Sequence, residues 1–267
     1  MTAEKQLRQY RDRLTDAVLP ERVPPAAVGV TLVTVALWAV VLGGRLPHPP
    51  MPGPMTAPGV PEAMGTSNGA AGVIAYLAMW GTMMSAMMYP SMLPLVREYV
   101  RGHDDAGVAE NAGIVAVLAT YSLAWTATGT VPLALDTLVS IRGLAAAHGP
   151  LLVGALGLFV AGYQQTELKR ASLRNCCRVP DLDDSGLSVR EGARRGLEHG
   201  LQCVRATWPL FALLVVSGSM NAAVMLALTV VVVAERLPPW RGEVATAVGV
   251  AAGVGGIAVV LFPGLIP

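Results

Sequence analysis

Apolar and polar positions alternate along this chain on a coarse scale: long apolar runs are separated by short polar segments. Seven runs, at 26–43, 70–93, 111–135, 150–168, 198–217, 219–236 and 243–264, are near the roughly 17–25 residues that a membrane-crossing helix needs. Ser217-Gly218-Ser219 separates the fifth run from the sixth as a turn, Pro238-Pro239 closes the sixth, and Trp240 reads as an interfacial anchor. The pattern predicts an all-α polytopic bundle of about seven spans, with residues 26–267 forming one transmembrane domain. Residues 1–25 are polar and carry Lys5, Arg8, Arg11, Arg13 and Arg22, as expected of an amphipathic lead-in rather than a cleavable signal. No internal repeat stands out.

Composition agrees. The chain is 53% hydrophobic and 14% charged, against roughly 25% charged in soluble domains. A multi-pass protein of a cell membrane, prokaryotic plasma membrane by expectation, follows, with the lipid bilayer as its first partner and no nucleic acid. Lysine and arginine bias sets the expected orientation. With the N-terminus inside, inner segments hold sixteen such residues and outer segments only Arg45 and Arg142, Arg205 lying within a span. The C-terminus is then outside. All three cysteines, Cys176, Cys177 and Cys203, fall on the inner side, where thiols stay reduced.

Six of the twelve methionines lie between Met79 and Met92. Met79–Met83–Met87 and Met84–Met88–Met92 form two ladders at i, i+4, i+8, on adjacent faces of one helix about 20 Å long. Thioethers are soft ligands that select Cu(I); they are also adaptable core fillers. One ladder can line a path while the other packs. Pro90 should kink this helix, because it lacks a backbone donor and crowds the Ala86 carbonyl.

Two loops add candidate ligands. The outer loop, 44–69, is rich in proline and glycine; its stretch from Leu46 to Met64, which collects His48, Met51, Met55 and Met64, cannot form helix and is expected as extended backbone over the outer face. The inner basic loop, 169–197, contains Asp181-Leu182-Asp183-Asp184-Ser185-Gly186, which opens like a calcium loop. Gly192 stands where that pattern needs a twelfth-position glutamate, so a solvated turn is expected. In span five His199 and Cys203 are i, i+4, a spacing that lets imidazole and thiolate share a metal. Gly192, Gly196 and Gly200 recur every fourth residue, which permits close helix approach. Arg205 needs a partner such as Glu198, Glu235 or lipid phosphate, or must snorkel to the inner surface. Asn221 needs a hydrogen bond to a neighbouring helix, and Glu235 reads as a solvated charge at a span end.

Trp80-x-x-Met83-x-x-Ala86-Met87-Met88-x-Pro90-Ser91 resembles the predicted metal-binding integral membrane proteins grouped as domain of unknown function 2182. Gly162-Tyr163 with Leu168-Lys169 leading to a cysteine is similar to that family's inner loop. Gly196-x-x-His199-Gly200-x-x-Cys203, then Trp208, Gly218-x-Met220-Asn221 and Glu235, is similar to its C-terminal signature. The resemblance covers about residues 75–240. Ala206, Thr207 and Ser172 stand where the family commonly has cysteines. A thiolate-rich Zn(II) site is weakened by those departures; a thioether-based Cu(I) site is not.

The resulting reading is a membrane protein that binds a soft metal ion, Cu(I), through Met79, Met83, Met87, Met88, Met92, Cys176, His199, Cys203 and Met220, and offers it a path. Ordered from outside to inside, such soft sites suit conduction, since each must release as readily as it binds. The alternative is an accessory or assembly subunit of a larger membrane complex, its methionine and glycine faces serving as packing surfaces. Partner subunits or a metallochaperone fit either reading. No His-Glu-x-x-His pair, serine elbow or cofactor fingerprint is present, so no enzymatic activity is expected.

Overall fold

The computed structural model describes residues 24–44, 58–61, 64–100, 108–176, 188–218, 221–236 and 240–265. The amphipathic lead-in, His48, Met51, Met55, Cys177, the Asp181–Gly186 segment and Met220 lie outside these.

Ten α-helices make up nearly all of the described residues, which contain no strand. They are α1 (Pro25–Leu42), α2 (Gly69–Met88), α3 (Leu93–Val100), α4 (Val108–Thr128), α5 (Thr130–Leu138), α6 (Ile141–Gln164), α7 (Glu167–Cys176), α8 (Val189–Ser217), α9 (Ala222–Ala234) and α10 (Arg241–Leu261). Among the described residues six helical stretches are long and apolar enough to cross a membrane. The sixth predicted span, 219–236, is the exception: it forms only the thirteen-residue α9. Asn221 sets where it starts. Its side chain accepts hydrogen bonds from the backbone N–H groups of Ala223 and Val224, capping the helix instead of bonding to a neighbour. α9 still returns the chain through the bundle, from the turn after Ser217 to Glu235, which meets Lys169 and Gln164 at the opposite end.

Helix directions follow from the glycines. A Cβ on Gly192 would lie 2.2 Å from the Gly113 carbonyl oxygen, one on Gly196 would meet Val117 at 2.3 Å, and one on Gly200 would meet Ala124 at 2.8 Å. The partner positions climb α4 as the glycines climb α8, so these two helices are parallel and in backbone contact. Gly154 and Gly157 meet Gly256 and Ala252, while Gly249 meets Ala161 and Gln164, so α6 and α10 are antiparallel. Small residues are what allow such approach in apolar surroundings.

α2 lies at the centre. Tyr76, Met79, Trp80, Met83, Met84, Met87, Met88 and Met92 are all at most 2% exposed. Both methionine ladders are therefore enclosed, although they occupy different faces. Ser85 and Tyr89 bond Ser122 at 3.0 and 2.7 Å, and Trp80 bonds Thr128 at 3.0 Å, fastening α2 to α4. The predicted break at Pro90 is present: α2 ends at Met88, and a 3₁₀ turn over Tyr89–Met92 precedes α3. Ser91 Oγ donates to the Met88 carbonyl at 2.6 Å, tightening that turn.

Part of the inner polar segment is helical. Ser188 caps α8 by accepting from the Glu191 N–H, and Glu191–Arg194, Glu191–Arg195 and Arg194–Glu198 pairs run along its first turns. The exposed Arg194 pairs add little energy; the buried glycines of α8 fix it against α4.

Candidate metal centre

α7 is a short polar helix that lies antiparallel on the first half of α8 and buries one face: Lys169, Ser172, Leu173 and Cys176. The spacing of these four, i, i+3, i+4, i+7, is one helical stripe. Cys203 and the half-buried His199 occupy facing positions on α8. Cys176 Sγ lies 3.9 Å from His199 Nε2. Ligand atoms of Cys176, His199 and Cys203 all lie within 4.8 Å of one another. The Tyr121 ring of α4 packs beside the imidazole with centroids 5.6 Å apart, and Trp125 stacks behind it, edge-on to Tyr121 and Phe211.

Two sulfurs and one imidazole nitrogen at this separation fit a shared ion. With bonds of about 2.3 Å to sulfur and about 2.0–2.1 Å to nitrogen, a trigonal centre holds those atoms about 3.8 Å apart. The donor set is soft, and soft thiolates select Cu(I), Zn(II) or iron–sulfur chemistry. Closed zinc sites take four protein ligands; among the described residues this group of histidine, cysteine and carboxylate ligands has three.

Next to this group is a buried charge network. Lys169 Nζ donates to Glu235 Oε2 at 2.6 Å and to the Ala206 carbonyl at 2.7 Å, while Gln164 Nε2 donates to Glu235 Oε1 at 2.7 Å. Lys169 and Glu235 side chains are 1% and 0% exposed. Burial pushes the Lys169 ammonium below its ordinary pKa, and the Glu235 carboxylate opposes that shift without cancelling it. Arg236, the next residue, reaches Ser91 in the 3₁₀ turn beyond Met88. Glu235 is thus no solvated end charge: α9 stops where α6, α7 and α8 converge, and the carboxylate is enclosed by them. Arg205 is likewise not paired with either expected acid, since Glu198 bonds Arg194 and Glu235 bonds Lys169; its side chain is exposed on the flank of α8.

The sequence-predicted ligands therefore separate into groups. Cys176, His199 and Cys203 converge on one point. Met79, Met83, Met87 and Met88 of α2 and Met92 of the following 3₁₀ turn line up inside the core. Met64 of the outer segment is also fully buried against that core. Sequence reasoning placed Cys176 in a loop, apart from the pair on span five, and missed Lys169 as its neighbour. The signal available was the i, i+7 spacing of Lys169 and Cys176 in a short amphipathic stretch.

An all-α polytopic bundle with a methionine-rich central helix and a cysteine–histidine group able to hold a metal fits a metal-handling membrane-type protein. The chain belongs to the PpoB2 copper chaperone family, which it matches over residues 77–259, well over half its length and all of the groups just described except Met64. That match supports the metal-handling character of the resemblance drawn from the motifs, under the copper chaperone description and not under that of the predicted metal-binding membrane proteins. No curated protein and no solved structure matches the chain.

Proposed function

We propose that this protein binds Cu(I) as cargo at Cys176, His199 and Cys203, and that the thioethers of α2 form the approach to that site across a lipid bilayer. The observation that carries the reading is the convergence of two buried thiols and an imidazole within 4.8 Å in a chain of a copper chaperone family. Supporting it, Met83, Met87, Met88 and Met92 are enclosed along the helix that ends near Arg236, beside the network that holds α7. The basic residues gather at the end of the bundle where α7 begins, so the triad faces the cytoplasm by the inside-positive rule. Ligand exchange, and no catalysis, is the chemistry proposed: a metallochaperone or partner protein takes the ion from the His199 side, which is the less enclosed edge of the group.

The test is metal stoichiometry. Protein loaded anaerobically with Cu(I) and desalted should retain about one copper per chain, with zinc counted in parallel. The Cys176→Ser/Cys203→Ser variant, confirmed folded, should retain a small fraction of that. Unchanged copper in the variant would sink the assignment.

A further inference from the structure

Lys169 and Cys176 are seven residues apart on α7, and their partners on α8, Ala206 and His199, are also seven apart. The two helices run antiparallel, so both contacts belong to one register. Ser172 falls between them, facing the position of Cys203. A slip of one residue would carry Cys176 about 1.5 Å along α8 and swing its side chain by about 100°. The triad would then open.

Little else on α7 can hold that register. Its buried stripe contains a single large apolar side chain, Leu173, which sits in a small cluster with Ala206 and Ala245. Glu167, Arg170 and Arg174 are exposed. Besides the Cys176–His199 contact itself and the Thr166 cap on its first turn, α7 is tied to other helices through Lys169, whose ammonium is fixed simultaneously by the Ala206 carbonyl of α8 and by Glu235 at the end of α9. Glu235 is itself held by Gln164 at the end of α6. Such a node costs desolvation, and a buried ion pair is often replaceable by apolar side chains without loss of stability. Stability alone therefore does not explain it; register does.

We propose that Lys169 and Glu235 are positioning residues that lock α7 in the register bringing Cys176 to His199 and Cys203. The consequence for Cu(I) affinity rests on the copper reading, whereas the register itself does not.

The experiment measures both separately in a Cys177→Ser background. Cys176 and Cys203 sulfurs lie within 4.8 Å, so diamide should join them as a disulfide, taking two electrons and two protons from the thiols. Metal-free Lys169→Met/Glu235→Leu and Lys169→Met/Glu235→Gln proteins are compared with the parent after elution profile and helical content establish folding. Crosslinking at least tenfold slower, with a Cu(I) dissociation constant at least tenfold weaker, is the expected result. Exposed Arg170→Ala on the same helix should match the parent. Parent-rate crosslinking in either folded double variant overturns the proposal. Slow crosslinking with unchanged Cu(I) affinity would uphold the register and instead remove copper from the triad.

Discussion

Cys176 Sγ and His199 Nε2, on two different helices, stand 3.9 Å apart in the interior of the bundle. The i, i+7 stripe of Lys169 and Cys176 marks a buried face on α7 but does not say which helix that face meets. The meeting results from α7 folding back antiparallel on α8, and from the parallel packing of α8 on α4 that places Tyr121 against the same imidazole.

The glycine contacts of α8 set where Cys203 and His199 sit. Gly196→Ala would place a methyl 2.2 Å from Thr120 Oγ1 and 2.3 Å from the Val117 carbonyl oxygen. The α4–α8 pair must then separate, and overpacking of this kind costs about 1–3 kcal/mol. Thermal unfolding in detergent should register the loss. Gly162→Ala, whose Cβ meets nothing within 4 Å, should be neutral or gain up to about 1 kcal/mol from helix propensity.

Met83 and Met87 are fully buried one turn apart on α2. Leucine nearly conserves their volume, so each change to leucine should alter stability by less than about 1.5 kcal/mol. If these thioethers meet the ion, transfer of Ag(I) or Cu(I) into vesicles containing the protein should fall severalfold in the folded double variant. Unaltered transfer would assign both side chains to packing.

Thiols lose their protons when they bind a metal, whereas a neutral imidazole loses none. Cu(I) affinity should therefore rise with pH wherever the free thiols are protonated. The sign follows from mass action: removing protons favours the state that has released them. Cys203→Ser should reduce the number of protons released per copper, by about one, in weakly buffered titrations, and His199→Ala should weaken affinity.

Much of the fold was legible because membrane-length apolar runs and glycine spacing act locally. The runs give the six long helices, Pro90 marks the break after Met88, and Gly192, Gly196 and Gly200 announce a close helix contact that α4 supplies. Asn221 and Glu235 were misread for one reason. A polar residue beside an apolar run looks the same whether it caps a helix, meets solvent or enters a buried network, and only the tertiary neighbours decide. The pairing of Cys176 with span five was hidden similarly, because α7 is polar in composition and its buried stripe includes a lysine.

Orientation is tested at the C-terminus. α10 lies antiparallel to α6, and the positive-inside bias predicts that α10 carries the chain outward. A reporter fused after Pro267 that is active only outside the cytoplasm should be active. Activity only of a cytoplasmic reporter would reverse the direction assigned to the whole path.

The most direct measurement is X-ray absorption at the copper edge of protein loaded anaerobically with one equivalent of Cu(I). The expected spectrum has a Cu(I) edge with two sulfur neighbours at about 2.3 Å and one nitrogen at about 2.0–2.1 Å, losing one sulfur in Cys176→Ser and the nitrogen in His199→Ala. A spectrum with no sulfur neighbours, or one unchanged in both variants, would contradict copper binding by Cys176, His199 and Cys203.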